Sequence, residues 1–259
     1  MMKAETIHAH LWESRSERAE FLWDMYCRFS SCIERAPITT YLDIGTGDLA
    51  NAILFRQKAN AEEAIGIDIR SDLVKSDDIE LVQADSRALP FRDGSLKLVT
   101  MISLIEHVPD SMRALSEAVR VLQEDGELFI QFPNRYFPIE LHSGLFLYFF
   151  FPKRIRNWLA EVADVKWMKE IDVPSVRNMK KVLRKLQPLS TILAVGFFYP
   201  ESLLPESKWT RRLYRMLKRL RIFRIMPMGC VVLFRQHRTA LGQQTKTWQV
   251  PLSRIDAVR

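Results

Sequence analysis

The 259-residue sequence holds three cysteines, no long apolar run and no internal repeat or low-complexity tract. Cys27, Cys32 and Cys230 form no Cys-x-x-Cys pair and leave an odd thiol, which excludes a zinc knuckle and a secreted disulfide framework as organising devices. They are expected to be reduced and buried. The longest apolar run, Leu145 to Phe151, falls far short of the ~20 residues that a spanning helix requires. The segment MMKAETIHAHLWESRSE has charges where a secretory leader needs an apolar stretch, so a cytoplasmic location is expected. A composition of 47% hydrophobic and 27% charged residues gives little support to a disordered or fibrous chain. The length suffices for one elaborated domain or two small ones without a disulfide or metal staple.

Charge is distributed unevenly. Residues 1–130 carry 14 Lys and Arg against 23 Asp and Glu, a balance of −9, whereas residues 131–259 carry 24 against 8, a balance of +16. Clustered charge concentrates partners of opposite sign, so phosphates, nucleic acid and anionic lipid are the candidates for the basic half.

Residues 15–35 space Phe21, Leu22, Met25, Phe29, Cys32 and Ile33 as an amphipathic helix ending before Pro37. Short apolar runs then alternate with helical patterns: strands at 40–45, 64–69, 80–84 and 96–103, and a helix at 48–57. Ser111 is expected to cap a helix to about Leu122, followed by an Asp125-Gly126 turn and a fifth strand at 126–132. This alternation predicts a parallel α/β sheet. It stops between Pro133 and Pro188, where an aromatic and basic stretch with helical patterns near 155–170 and 174–187 reads as an insertion. Two further strands are expected at 190–200 and 229–236, with a basic helical segment between them. The expected organisation is an N-terminal helical extension (1–36), a ligand-binding core (37–134), an insertion over the acceptor (135–188), closing strands (189–237) and a tail (238–259).

The turn Tyr41-Leu42-Asp43-Ile44-Gly45-Thr46-Gly47-Asp48-Leu49-Ala50 places two glycines between strand and helix, where backbone can approach a ligand closely. Gly-x-Gly-x-x-Ala with Asp68 at the next strand end also fits a nicotinamide-binding fold. Asp43, inside the first strand, opposes that fit and favours a ligand carrying positive charge. Singly these acids and glycines are equally explained as caps and turns; together they point to a site.

The blocks LDIGTGD, GIDI, QADSRALPFRDGSLKLVTMISLIEHVPD and VLQEDGELFIQFPN, in order over residues 40–134, resemble class I S-adenosylmethionine-dependent methyltransferases, in the type 11 branch that includes quinone-biosynthesis enzymes. The resemblance implies a Rossmann-like, seven-stranded, mostly parallel sheet with helices on both faces and a final antiparallel hairpin, here with a helical insertion between strands five and six. It implies S-adenosylmethionine as cofactor, with Asp43, Gly45, Thr46 and Gly47 around its methionine part. Asp68 and Ile69 would lie at the ribose, Asp85 and Ser86 at the adenine, and Ser103 beside them. Leu49 departs from a frequent third glycine, tolerably if the helix has begun there, and Lys97 departs from a common Asp at the start of strand four, opposite the site.

Methyl transfer from a sulfonium needs mainly alignment of the reacting atoms and exclusion of water, with a base only for a weakly acidic hydroxyl. His107 and Glu106, after the fourth strand, are candidate catalytic groups, as are Glu140 and His142; Asn134, Arg135 and Tyr136 are candidates for the acceptor. Each has a plain structural alternative: loop orientation for His107, a polar hinge for the 134–142 cluster. The expected reaction is methylation of a small or lipid-linked acceptor, at oxygen before carbon or nitrogen. By default the aromatic run Phe146 to Phe151 is buried against the sheet; a lid over the acceptor and a membrane contact are the alternatives. Trp209, Leu213, Met216, Leu217 and Leu220 share a helical face among basic residues, so Lys208 to Arg224 is either a helix docked on the acidic core or a peripheral contact with an anionic membrane. Nucleic acid is disfavoured for want of a binding module. Two rival functions are an NAD(P)-dependent oxidoreductase, opposed by Asp43 and Asp85, and a non-catalytic methyltransferase-fold partner-binding protein.

Overall fold

The computed structural model describes residues 15–30, 37–72, 76–137, 145, 147–199, 212, 215–216, 219 and 227–237. Its helices are α1 (Arg15–Ser30), α2 (Ala50–Ala59), α3 (Ser111–Val121), α4 (Lys153–Val162) and α5 (Val176–Leu186), with 3₁₀ turns at Tyr148–Phe150 and Lys166–Lys169. The strands are β1 (Thr40–Ile44), β2 (Glu63–Asp68), β3 (Glu80–Gln83), β4 (Leu96–Ile102), β5 (Leu122–Pro133), β6 (Ser190–Phe197) and β7 (Gly229–Gln236). They form one seven-stranded sheet in the order β3-β2-β1-β4-β5-β7-β6. β7 runs antiparallel to both neighbours and the other pairings are parallel, as the sequence leads one to expect.

β4 is buried throughout, so its apolar run reads as continuous rather than alternating. One sheet face meets α1 and α2, where Leu22, Tyr26 and Phe29 pack with Phe55, Tyr41, Leu98 and Phe129. The other meets α3 and α5, where Leu115, Ala118, Met179 and Leu183 pack with Val99, Ile130 and Val232. α1 is fixed at both ends. Near the amino ends of the parallel strands, Tyr26 donates to Glu127 Oε2 at 2.5 Å, and Glu127 is paired with buried Arg235 of β7. Eight residues earlier, Arg18 reaches the carboxyl ends of β4 and β5.

Several local expectations change. Asp110, not Ser111, caps α3, its side chain accepting from the Arg113 amide. β5 begins at Leu122 because Asp125-Gly126 forms an irregularity inside the strand: Leu96 pairs with Leu122, but Leu98 pairs with Glu127. Cys27 is half-buried rather than buried; Cys230 is buried, both are free thiols, and Cys32 lies outside the described residues. Tyr148 and Phe149 are buried, but in the insertion's own cluster with Ala160, Val165, Met168, Ile171 and Val173, not against the sheet. The expected helical stretch 155–170 is interrupted at Asp164 (φ 54°), between α4 and the 166–169 turn.

Leu49 is the clearest departure. The helix has not begun there: Leu49 precedes α2 with φ 71° and ψ −7°, a left-handed conformation that suits glycine, yet its side chain is buried. Burial of the side chain thus offsets a backbone cost of about 1–2 kcal/mol. Both Leu49→Ala and Leu49→Gly are expected to destabilise the chain. The glycine variant should be the more stable of the two by about 1 kcal/mol in chemical denaturation, because it alone relieves the strained φ.

Candidate active site

The winding of the sheet reverses between β1 and β4, and the loops that leave the carboxyl ends of these strands enclose a crevice at that point. β1, β2 and β3 bring the glycine turn, Asp68 and Asp85 to one side of it. β4 and β5 bring Ser103, Glu106, His107, Gln131 and Asn134 to the other.

On the first side, the amides of Gly45 and Thr46 donate to Ile67 O at 2.8 and 3.0 Å, folding the turn over the end of β2. Gly45 (φ 77°) is closely approached by the Leu104 side chain, at 2.7 Å from where a Cβ would stand. Gly47 (φ 58°) differs: a Cβ there would meet nothing closer than the Gly45 carbonyl at 3.9 Å, so its bare backbone faces open space. The Gly47 amide donates to Asp68 Oδ2 at 3.2 Å. The Arg70 side chain and amide supply further donors to Asp68. Asp85 is bound in the same way by Arg87, two residues on. These two carboxylates therefore already accept several N–H donors each from half-exposed arginines, the donor geometry that ribose hydroxyls and an adenine amino group would supply. Partial burial opposes ionisation of Asp68, but the Arg70 and Gly47 hydrogen bonds outweigh it and hold the carboxyl below its usual value. The Arg87 hydrogen bonds hold Asp85 down to about 2. Ile69, 65% exposed beside Asp68, offers an apolar surface, and Ser86 is half-buried.

Asp43 lies beneath the turn, 2% exposed. It accepts from Thr100 Oγ1 at 2.5 Å, and that oxygen is 2.9 Å from the Tyr41 hydroxyl. Burial raises the Asp43 carboxyl to about 6, although the hydroxyls of Thr100 and Thr46 draw it downward. An acid held this near neutrality in a buried site is stabilised as the anion by a positive ligand above it. Asp43, Gly47, Asp68, Ile69 and Asp85 thus suit a ligand with an ammonium or sulfonium group, a diol and a flat base.

On the second side stands a cluster that periodicity did not single out. Arg18 Nη2 donates to Ser103 Oγ at 2.7 Å and to Gln131 Oε1 at 3.0 Å, and Ser103 Oγ lies 2.9 Å from Gln131 Oε1. Tyr199, buried just past β6, is hydrogen-bonded to Arg18. Arg15 pairs with Asp48 of the glycine turn, so the first turn of α1 spans both sides of the crevice. Helical spacing placed α1 correctly but gave no sign that its polar face would reach the strand ends. Ser103, expected at the cofactor, has its hydroxyl turned to Arg18 and Gln131 and adopts a positive φ of 50°.

Glu106 and His107, adjacent in sequence, part in space: Glu106 is 1% exposed and His107 is exposed. The Glu106 carbonyl accepts from the Asp172 amide at 3.0 Å, tying the insertion to the loop after β4. Asn134 has a hinge role, donating to Pro227 O at 2.7 Å and accepting from the Tyr136 amide. Arg135 is drawn to Asp172 and lies over the Phe149 ring, while Tyr136 is 54% exposed. Glu140 and His142 lie outside the described residues.

The sheet order is that of the class I S-adenosylmethionine-dependent methyltransferase fold. Residues 42–130 match the methyltransferase-domain family. The chain is 32% identical to demethylmenaquinone methyltransferase of Thermus thermophilus over 113 residues, 39% of this chain and 50% of that protein. It is 33% identical to ubiquinone/menaquinone biosynthesis C-methyltransferase UbiE of Brucella anthropi over 119 residues, 40% of this chain and 45% of that one. The chain thus spans about half the length of these curated relatives. A solved S-adenosylmethionine-dependent methyltransferase from Archaeoglobus fulgidus superposes with a TM-score of 0.56 over 86% of this chain and 95% of that one, at 17% identity, and shares the fold.

Three outcomes follow from the crevice. Asp68→Ala removes hydrogen bonds to a charged acceptor worth about 1.5–3 kcal/mol each, so affinity for S-adenosylhomocysteine in calorimetry should fall about a hundredfold or more while the melting temperature stays near wild type. For Asp43 the folded pKa is raised, so its ionised form costs stability at neutral pH. The cost fades as pH falls through about 6 and is gone below the unfolded value of 3.8. Asp43→Asn should therefore melt higher than wild type at pH 7.5, with the gap closing near pH 4. In the wild type, S-adenosylmethionine affinity should drop about tenfold between pH 7 and pH 5 as Asp43 protonates.

Proposed function

We propose that this chain transfers the methyl group of S-adenosylmethionine to a hydrophobic, hydroxylated ring acceptor, of the quinone-precursor or lipid-linked kind, bound over β4 and β5. The observation that carries this is the two-sided crevice, with anionic groups and open glycine backbone over β1–β3 and the Arg18 cluster over β4–β5. The cofactor, when bound, supplies an activated methyl group, and the protein has to align the acceptor and exclude water. Asp43 faces the cofactor's positive end, Asp68 and Ile69 its ribose, and Asp85 and Ser86 its adenine.

A ring hydroxyl is a better nucleophile, through its oxygen or through the adjoining ring carbon, once it has lost its proton. His107, exposed on the loop after β4, accepts that proton, and Arg18 holds the developing oxyanion together with Ser103 and Tyr199. Oxygen is the atom expected from the sequence; the relatives named as C-methyltransferases favour ring carbon as the second reading. Glu106, buried and adjacent in sequence to His107, has a positioning role, and the insertion covers the acceptor. The protein works in the cytoplasm at a membrane surface, to which the basic segment Lys208 to Arg224 contributes.

Incubation with methyl-labelled S-adenosylmethionine and prenylated quinol precursors or lipid-linked saccharides tests this. Label should enter the organic phase with a quinol acceptor, and His107→Ala should lower turnover by about 10²-fold or more with S-adenosylhomocysteine affinity unchanged. Retained cofactor binding without transfer to any of these acceptors would instead support the non-catalytic partner-binding role.

A further inference from the structure

The insertion displays a row of apolar side chains along one line of α4. Ile155, Trp158 and Val162, at helical spacings of three and four, are 44%, 61% and 66% exposed. The opposite side of the helix buries Ala160 and lays Arg156 over the rings of Tyr148 and Phe149, at 5.8 and 5.5 Å. Phe150 and Phe151 just before α4, and Trp167 just after it, are 45%, 38% and 46% exposed. One exposed apolar residue is ordinary; a row on one helix with three aromatic neighbours is a binding surface.

The charges around this row select its partner. Lys153, Arg154 and Lys166 are exposed, and the one acid on α4, Glu161, is engaged by Lys166 at 3.8 Å and by Lys169. The surface is aromatic and aliphatic, and its border carries the exposed cations Lys153, Arg154 and Lys166 against the exposed acids Glu161 and Asp164. A second copy of this chain packed on the same face would bring like charges together, whereas an anionic lipid surface complements both features. Ten residues of α4 extend about 15 Å, and among the described residues no helix is long and apolar enough to cross a membrane. The attachment is therefore one that lies in the interface.

We propose that α4 and its flanking aromatics form a docking surface for anionic lipid, with Ile155, Trp158 and Val162 in the acyl boundary and Lys153, Arg154 and Lys166 at the phosphates. This site uses other residues than the Lys208–Arg224 segment, most of which lies outside the described residues, and does not depend on methyl transfer. It also lies next to the crevice: the Glu106–Asp172 hydrogen bond, the Arg135–Asp172 pair and the Tyr136–Phe150 ring contact join the insertion to the loops after β4 and β5.

Flotation of the full chain with vesicles of phosphatidylcholine and phosphatidylglycerol, against phosphatidylcholine alone, tests this. Wild type should float with the anionic vesicles and less so as salt rises. The Ile155→Glu, Trp158→Glu double variant should bind about tenfold or more weakly, with wild-type melting temperature because both positions are exposed. Absence of wild-type flotation would overturn the proposal, as would undiminished flotation of the α4 variant with loss in Trp209→Glu, Leu213→Glu. So would a wild-type dimer in sedimentation that the α4 variant converts to monomer, since the face would then be a self-interface.

Discussion

The pairing of β1 with β4 in parallel is the constraint from which the rest of this structure follows. Because the chain winds outward from that pair in both directions, the loops after β1 and β4 leave the sheet on diverging paths and part the molecule at their root. Everything suited to bind a ligand is collected at that edge: the glycine turn and two acids on one flank, Arg18 with Ser103 and Gln131 on the other. The opposite edge does a different job. There Tyr26, Glu127 and Arg235 join α1, β5 and β7 through a buried, hydrogen-bonded ion pair, which fixes the far end of the helix whose first turn carries Arg15 and Arg18 to the crevice.

Stability is spent at the site in two visible places. Leu49 holds a left-handed backbone so that its side chain reaches the core directly after the glycine turn. Asp43 is kept in a buried position where its charge is costly, with only hydroxyl partners in the fold itself. Both lie within a few residues of Gly45 and Gly47, and a buried acid needing a counter-charge is explained by a cationic ligand above it.

Much of the sheet was legible in the sequence because buried parallel strands produce short β-branched runs, and amphipathic helices produce the intervening period. The gathering of the glycine turn, Asp68 and Asp85 on one flank of the crevice was legible too, since these groups lie close to strand ends, as Asp68 and Gly45 do. The other flank was not. Arg18 and Ser103 are 85 residues apart, and their meeting depends on how α1 crosses the sheet, which no local pattern encodes. Asn134 and Arg135 looked like ligand groups because they follow a strand end, yet their polar atoms serve the chain at Pro227 and Asp172. Likewise the aromatic run in the insertion carried no sign of which rings would be buried: Tyr148 and Phe149 form a small core of their own, and Phe150 and Phe151 point away from it.

The central claim is that the crevice at the β1–β4 reversal holds S-adenosylmethionine. The most direct measurement is isothermal titration of the full chain with S-adenosylmethionine and S-adenosylhomocysteine, with NAD and NADP run in parallel. Saturable one-to-one binding of the first pair at micromolar concentration is expected, with no heat from the second. Binding of a nicotinamide dinucleotide in place of the sulfonium, or silence from all four in folded protein, would contradict it.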